Sequence, residues 1–309
     1  MHKPVLFQEV LEALNVKSGG KFIDATVGFG GHTLGILQAN SKNIVLGFDW
    51  DRRLVALSAA RLTEAGVSDR CKLVVSNYTS LKEQAELNDF RIVDGILIDL
   101  GFSSAQLDDP SRGLSFQKDG PLDMRYSQDN PLTAERILNS YSEERLEEIF
   151  RKYGEERFAR QIARGVLFFR KTGEMKTTTQ LSQVIESVIP GKVRYKASDS
   201  KRRIFQALRI EVNHELENIS KFLPQALDLL RTGGRLAVIS FHSLEDRIIK
   251  QFFVQNAKSC ICPKEVPVCV CNNEPSVKII TKKPIVASEA EIEENSRSAS
   301  AKMRVAEKI

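Results

Sequence analysis

At 309 residues, with 42% hydrophobic and 28% charged side chains, the chain has the makeup of an ordinary globular protein of one large or two moderate domains. That composition excludes a disordered, collagen-like or coiled-coil chain. No apolar run reaches the ~18 residues of a membrane span, and Glu9 and Glu12 fall where a signal peptide would be apolar, so a cytoplasmic protein is expected. Net charge is only +5, yet residues 151–210 hold 15 Lys or Arg against 5 Asp or Glu. Such a block fits a polyanion partner or merely solvated helix faces.

Taken in chain order, residues 21–24 read as a short buried strand, and the Gly-rich stretch 26–33 opens a helix ending near Gln38. A second strand spans 43–49, followed by a helix over 53–65 that Gly66 stops, a third strand at 71–75 and a fourth at 92–100. Strands spaced by helices demand right-handed crossovers, so this half is expected to be an α/β, doubly wound parallel sheet. Residues 101–131 are rich in Gly, Ser, Asp and Pro and too long for a compact connection, which predicts a functional loop. Helical periodicity follows: Leu146, Ile149, Phe150 and Tyr153 share a face, as do Leu181, Val184, Ile185 and Val188. The regular stripe Phe205, Leu208, Val212, Leu216 and Ile219 predicts one long helix, after which the strand pattern resumes at 232–241. The expected organisation is a discontinuous sheet domain, 1–104 and 211–309, interrupted by a helical domain at 105–210.

The chemistry concentrates at the ends of the strands. Residues 24–33 follow a strand, open a helix and place glycines at 28, 30 and 31, as a backbone approaching a cofactor requires; a tight strand-to-helix turn has the same pattern. Asp49 ends the second strand, where an acid can hold both hydroxyls of a ribose, and Asp99 ends the fourth. With His32 breaking the usual GxGxxG spacing, the turn favours S-adenosyl-L-methionine over a dinucleotide, because no pyrophosphate needs cradling. Ser243 and Asp246 fit a capping box after the strand ending near Phe241, which accounts structurally for much of the motif around His242. Arg209 and Asn213, one turn apart, fit contacts to RNA, to the 101–131 loop or to solvent. Cys260, Cys262, Cys269 and Cys271 form C-x-C-x6-C-x-C, which fits a structural zinc, reversible disulfides or a metal-free thiol-rich loop, and no metal ligand is assigned.

These segments resemble a known family over nearly the whole chain. The matching blocks are His2-x-Pro4-Val5-Leu6, DATVGFGGH at 24–32, DGILIDLG at 94–101, SSAQLD at 103–108, RGLSF at 112–116, DGPLDMR at 119–125, FQALRIEVNHEL at 205–216 and ISFHSLEDR at 239–247. In that order they resemble the ribosomal small-subunit RNA (cytosine-N4)-methyltransferase family known as RsmH or MraW. The resemblance implies a Rossmann-like class I methyltransferase sheet with an inserted helical RNA-recognition domain. It also implies transfer of methyl from S-adenosyl-L-methionine to the exocyclic amine of a decoding-region cytidine of 16S rRNA, cytidine 1402 in conventional rRNA numbering, within an assembled or assembling small subunit. Carried over by position, Gly30, Gly31, His32, Asp49, Tyr78, Asp99 and Gln106 match the family's cofactor contacts, and Asp99 is the candidate catalytic group. Tyr78 stands where the family more often has Phe; Phe102, Ala105 and Leu114 are conservative departures; the tail at 295–304 carries Ser296 and Ala299 in a stretch the family makes richer in Pro and Arg. A DNA or small-molecule methyltransferase and a non-catalytic ribosome-assembly binder are the rival readings.

Overall fold

Phe22 and Ile23 are neighbours in the first strand, β1 (Lys21–Asp24), yet they belong to different apolar cores, because successive side chains in a strand point to opposite faces. The same alternation recurs at Val45 and Leu46 of β2 (Ile44–Asp49) and at Ile96, Leu97 and Ile98 of β4 (Val93–Asp99). A sheet built this way must be covered on both sides. The computed structural model describes residues 4–103, 106–107, 109–263 and 269–309; His2, Ser104, Ala105 and Asp108 of the motifs above lie outside the described residues. β3 (Cys71–Val75), β5 (Leu230–Ser240), β6 (Val277–Ile279) and β7 (Lys302–Lys308) complete a seven-stranded sheet of order β3-β2-β1-β4-β5-β7-β6. β1 to β5 run parallel, and β7 is antiparallel to both β5 and β6. This is a doubly wound, Rossmann-like α/β sheet, parallel but for β7.

One face is covered by α1 (Phe7–Ala13), α2 (Gly31–Ala39) and α3 (Arg52–Glu64), which contribute Val10, Ile36, Leu37 and Leu62 to its core. The other face is covered by α4 (Leu81–Leu87) and by two later helices described below. Among the described residues, no helix is long and apolar enough to cross a membrane.

The chain divides into two compact units, Met1–Gly101 with Leu216–Ile309, and Phe102–Glu215. The second holds α5 (Ala134–Ser140), α6 (Glu143–Lys152), α7 (Ala159–Phe169), α8 (Thr178–Val188) and α9 (Ala197–Asn213) around Leu146, Phe150, Ile162, Ile185 and Leu208. Thr133 and Ser142 cap α5 and α6, and Thr177 forms a reciprocal capping box with Gln180 at the start of α8. The sequence limits of 105–210 are narrower than this unit. Phe102 belongs to it because its ring lies under the Arg209 guanidinium, 4.8 Å away, and against Tyr126; Glu215 belongs because it binds Arg209 and the Tyr126 hydroxyl.

The long helix expected over Phe205 to Ile219 is two helices. α9 ends at Asn213, His214 takes a left-handed conformation (φ 52°), and α10 (Glu215–Leu229) begins anew. The apolar stripe serves two cores: Phe205, Leu208 and Val212 pack in the helical unit, whereas Ile219 and Leu216 pack with the sheet. A left-handed non-glycine residue costs about 1–2 kcal/mol, which the packing on each side offsets. α10 joins α11 (Ser243–Asn256) on the sheet face opposite α1 to α3, through Phe222, Ile249 and Phe253.

Candidate active site

β1 lies between β2 and β4, and the chain leaves β1 toward β2 before returning by way of β3 to β4 on the other side. Such a switch in strand order opens a crevice beyond the carboxyl ends of the strands. The turn after β1 is tied into that crevice. Val27 N–H donates to the Phe48 carbonyl (2.8 Å), Gly28 N–H donates to Asp49 Oδ2 (2.8 Å), and Asp99 N–H donates to Thr26 Oγ1 (2.6 Å). Arg61 holds the Phe29 carbonyl at 3.1 Å. Two of the glycines are required by the geometry. Gly30 caps α2 at φ 73°, and a Cβ there would stand 2.4 Å from Ser58 Oγ; Gly28 has φ 54°, and its missing Cβ would meet nothing within 4 Å. The backbone at Gly28 therefore borders open space.

Three carboxylates gather around this turn. Asp24 is fully buried at the end of β1, where it accepts from Thr33 Oγ1 (2.6 Å) and Thr26 N–H (3.2 Å); burial still pushes its carboxyl up to about 6. Asp49 is also raised to about 6 by burial, against hydrogen bonds from Asp51 N–H and Gly28 N–H, with the charges of Asp51 and Asp24 adding to the rise. Asp99 is the most perturbed. Loss of hydration, then the charges of Asp24 and Glu245, push it up to about 8, although a quarter of its side chain remains open to solvent. Its Oδ1 is buried without a hydrogen-bond partner among the described residues. Clustered acids with such shifts beside a crevice are a general mark of binding or reacting sites.

His32, in the first turn of α2, is buried against the Phe7 ring, with Nε2 at 3.8 Å from Asp99 Oδ2. Gly31 begins the same helix beside Pro4. Tyr78 follows β3 at the same carboxyl edge, half-buried, with its ring edge-on to Phe222 at 5.5 Å. Gly30, Gly31, His32, Asp49, Tyr78 and Asp99 thus all lie at the ends of the neighbouring strands β1 to β4. Gln106 belongs to the helical unit, where its carboxamide oxygen accepts from Ser103 N–H (2.9 Å) and its own N–H donates to Ser103 Oγ (3.3 Å). Sequence reasoning missed Asp24, whose signal was an acid directly between a buried strand and a Gly-rich turn.

Other expectations change. The capping box at α11 is formed one residue earlier than Ser243 and Asp246. His242 is the cap, and Glu245 Oε2 accepts from the backbone of Phe241 and His242. Asp246 instead binds Arg304 of β7 through two hydrogen bonds, 2.6 and 3.0 Å, so that end of the tail is part of the sheet. Arg209 and Asn213 are not solvated. Arg209 pairs with Glu215, and buried Asn213 accepts from Tyr126 N–H while donating to the Met124 and Arg209 carbonyls, which holds the 101–131 segment. In the basic block, Lys201 pairs with Glu186 and Arg203 with fully buried Glu156, whereas Lys192, Arg194 and Lys196 are exposed beside Tyr195, itself 77% exposed.

Comparison with known proteins adds a lineage to this geometry. The model of the MraW methylase family matches residues 1–309. A ribosomal RNA small subunit methyltransferase H of Carboxydothermus hydrogenoformans is 47% identical over 308 residues, covering 100% of this chain and 98% of the relative. Its counterpart in Halothermothrix orenii is 45% identical over 309 residues, with 100% and 98% covered. Among solved structures, an rRNA methylase from Streptococcus thermophilus is 11% identical at a TM-score of 0.45, covering 100% of this chain and 99% of that one.

Proposed function

The chain belongs to the MraW methylase family, and from that premise we propose that it transfers a methyl group from S-adenosyl-L-methionine to the N4 exocyclic amine of a decoding-region cytidine of 16S rRNA, cytidine 1402 in conventional rRNA numbering. The observation that carries this reading is the crevice at the strand-order switch, where Gly28 borders open space and Asp99 Oδ1 is buried without a partner among the described residues. Both features fit a small polar molecule seated against the turn. Asp49 would accept the ribose hydroxyls, Tyr78 would lie against the adenine, and the Gly30–Gly31 turn and His32 would shape the floor. By the family resemblance alone, Gln106 is a further cofactor contact through its carboxamide. When bound, S-adenosyl-L-methionine supplies an electrophilic methyl on a sulfonium.

The chain's own contribution is positioning and proton handling. The cytosine amine is a weak nucleophile because its lone pair is delocalised into the ring, so a carboxylate accepting one of its hydrogens favours the pyramidal form that reacts. Asp99 suits that role once positive charge beside it lowers its carboxyl again. The base has to leave its stack to reach such a crevice. The helical unit would bind RNA: Lys192, Arg194 and Lys196 supply phosphate contacts, and the exposed rings of Tyr195 and Phe168 supply stacking surfaces. The substrate would be rRNA in an assembled or assembling small ribosomal subunit, which places the enzyme in the cytoplasm.

The test is parallel incubation of the full chain and labelled S-adenosyl-L-methionine with small subunits, naked 16S rRNA, DNA and free nucleosides. Label confined to one cytidine of 16S rRNA is expected. Label in DNA or free nucleosides, or none in any arm, rejects the proposal.

A further inference from the structure

The turn between α11 and β6 carries four cysteines that methyl transfer leaves unused. Cys260 and Cys262 come from its first arm, Cys269 and Cys271 from its second, and all four Sγ atoms lie within 4.8 Å of one another. Neighbouring sulfurs are 3.6 Å apart for Cys269 and Cys271, 3.9 Å for Cys271 and Cys260, and 4.0 Å for Cys262 and Cys269. Four thiolates arranged tetrahedrally at ~2.3 Å from one ion stand about 3.8 Å apart. A disulfide would bring two of them to ~2.05 Å. The observed spacing is that of ligands around a shared centre.

The backbone is arranged for anionic sulfur as well. Ile261 N–H donates to Cys271 Sγ and Val270 N–H to Cys262 Sγ, each at 3.4 Å, so each C-x-C turn directs an amide at a sulfur of the opposite pair. Such bonds offset the charge that deprotonated thiols carry. Below the cluster the two arms are joined by Ser276 N–H to the Asn256 carbonyl (2.8 Å) and by Asn273 Nδ2 to the Lys258 carbonyl (2.6 Å). Among the described residues beside the cluster, Ile261 and Val270 are 50% and 73% exposed. Thiols that converge between such exposed apolar neighbours call for another source of cohesion.

We propose that Cys260, Cys262, Cys269 and Cys271 bind one zinc ion as a closed tetrathiolate, a structural centre that folds the turn at the β6 end of the sheet. Four sulfur ligands leave no position for substrate, and soft sulfur donors select zinc over magnesium or calcium. The thiols lose their protons to solvent as the ion binds.

Elemental analysis of the full chain, purified without chelator or affinity metal, is expected to give one zinc per chain. The Cys269→Ser, Cys271→Ser double variant is expected to lose it while retaining S-adenosyl-L-methionine affinity. Exchange with Co(II) should yield the thiolate-to-metal charge-transfer absorption and strong d–d bands of a tetrahedral sulfur site, a signature that does not depend on activity or on any variant folding. Zinc that persists in the double variant, iron in its place, a Cys260–Cys271 or Cys262–Cys269 disulfide in the freshly isolated protein, or four freely titrating thiols after dialysis against zinc would overturn the assignment.

Discussion

Asp99→Asn is expected to raise stability and lower activity in a manner that depends on pH. In the folded chain the Asp99 carboxyl keeps its proton up to about 8, against 3.8 without the fold's influence. The folded state therefore binds more protons than the unfolded state across this window, and stability falls as pH rises from about 4 to 8. Each pH unit of that interval is worth about 1.4 kcal/mol for a single group, so the wild type loses roughly 3–4 kcal/mol between pH 5 and pH 8 through Asp99 alone. Asparagine has the same shape and no ionisation. Its advantage over the wild type should grow by that amount over the same range, while Asp24 and Asp49, both raised to about 6, contribute to both proteins and largely cancel. Urea denaturation at several pH values, with the two proteins side by side, measures it. Turnover at saturating S-adenosyl-L-methionine and RNA should fall sharply if the carboxylate meets the amine, whereas a raised KM for S-adenosyl-L-methionine with turnover restored at saturation limits it to cofactor binding. Stability curves that stay parallel from pH 5 to pH 8 would refute the electrostatic reasoning.

Asp49→Ala should weaken S-adenosyl-L-methionine binding by ~1.5–3 kcal/mol, the range for a hydrogen bond to a charged acceptor; unchanged affinity by calorimetry rules out the ribose assignment. Replacing Lys192, Arg194 and Lys196 together by Gln should weaken RNA binding and flatten its salt dependence by roughly 1 in log–log slope for each phosphate no longer neutralised, with cofactor affinity unmoved. An unaltered slope would mean these side chains are only solvated surface. Asn213→Ala removes the carboxamide to which Tyr126 N–H donates and which donates to the Met124 carbonyl, at ~1–3 kcal/mol for each of the two bonds, so denaturation should show a loss of about 2–6 kcal/mol. A loss under about 1 kcal/mol would mean that segment is not held by Asn213.

The first half of the fold was legible because its strands are short apolar runs bounded by turn residues. Strands read at 21–24, 43–49, 71–75 and 92–100 are found at Lys21–Asp24, Ile44–Asp49, Cys71–Val75 and Val93–Asp99. β7 was harder: Lys302, Arg304, Glu307 and Lys308 mask its apolar alternation, and Arg304 is admitted to the sheet only because Asp246 neutralises it. The break at His214 left no trace, since an apolar stripe has the same period whether it feeds one core or two. Strand ends located Asp49 and Asp99. Asp24 also ends a strand, but its burial and its hydrogen bond from Thr33 nine residues away were not legible, nor that Lys201 pairs with Glu186 of α8 and Arg203 with Glu156 between α6 and α7. Charge counts record composition, and pairing is a property of the fold.

The central claim is tested most directly by mass-spectrometric mapping of 16S rRNA after small subunits lacking the modification are incubated with the purified chain and isotopically labelled S-adenosyl-L-methionine. The account predicts one labelled methyl on N4 of a single decoding-region cytidine, absent when Asp99→Asn replaces the wild type. Label on a ring carbon, on a ribose hydroxyl or at scattered cytidines, or no label with a correctly folded chain, would contradict it.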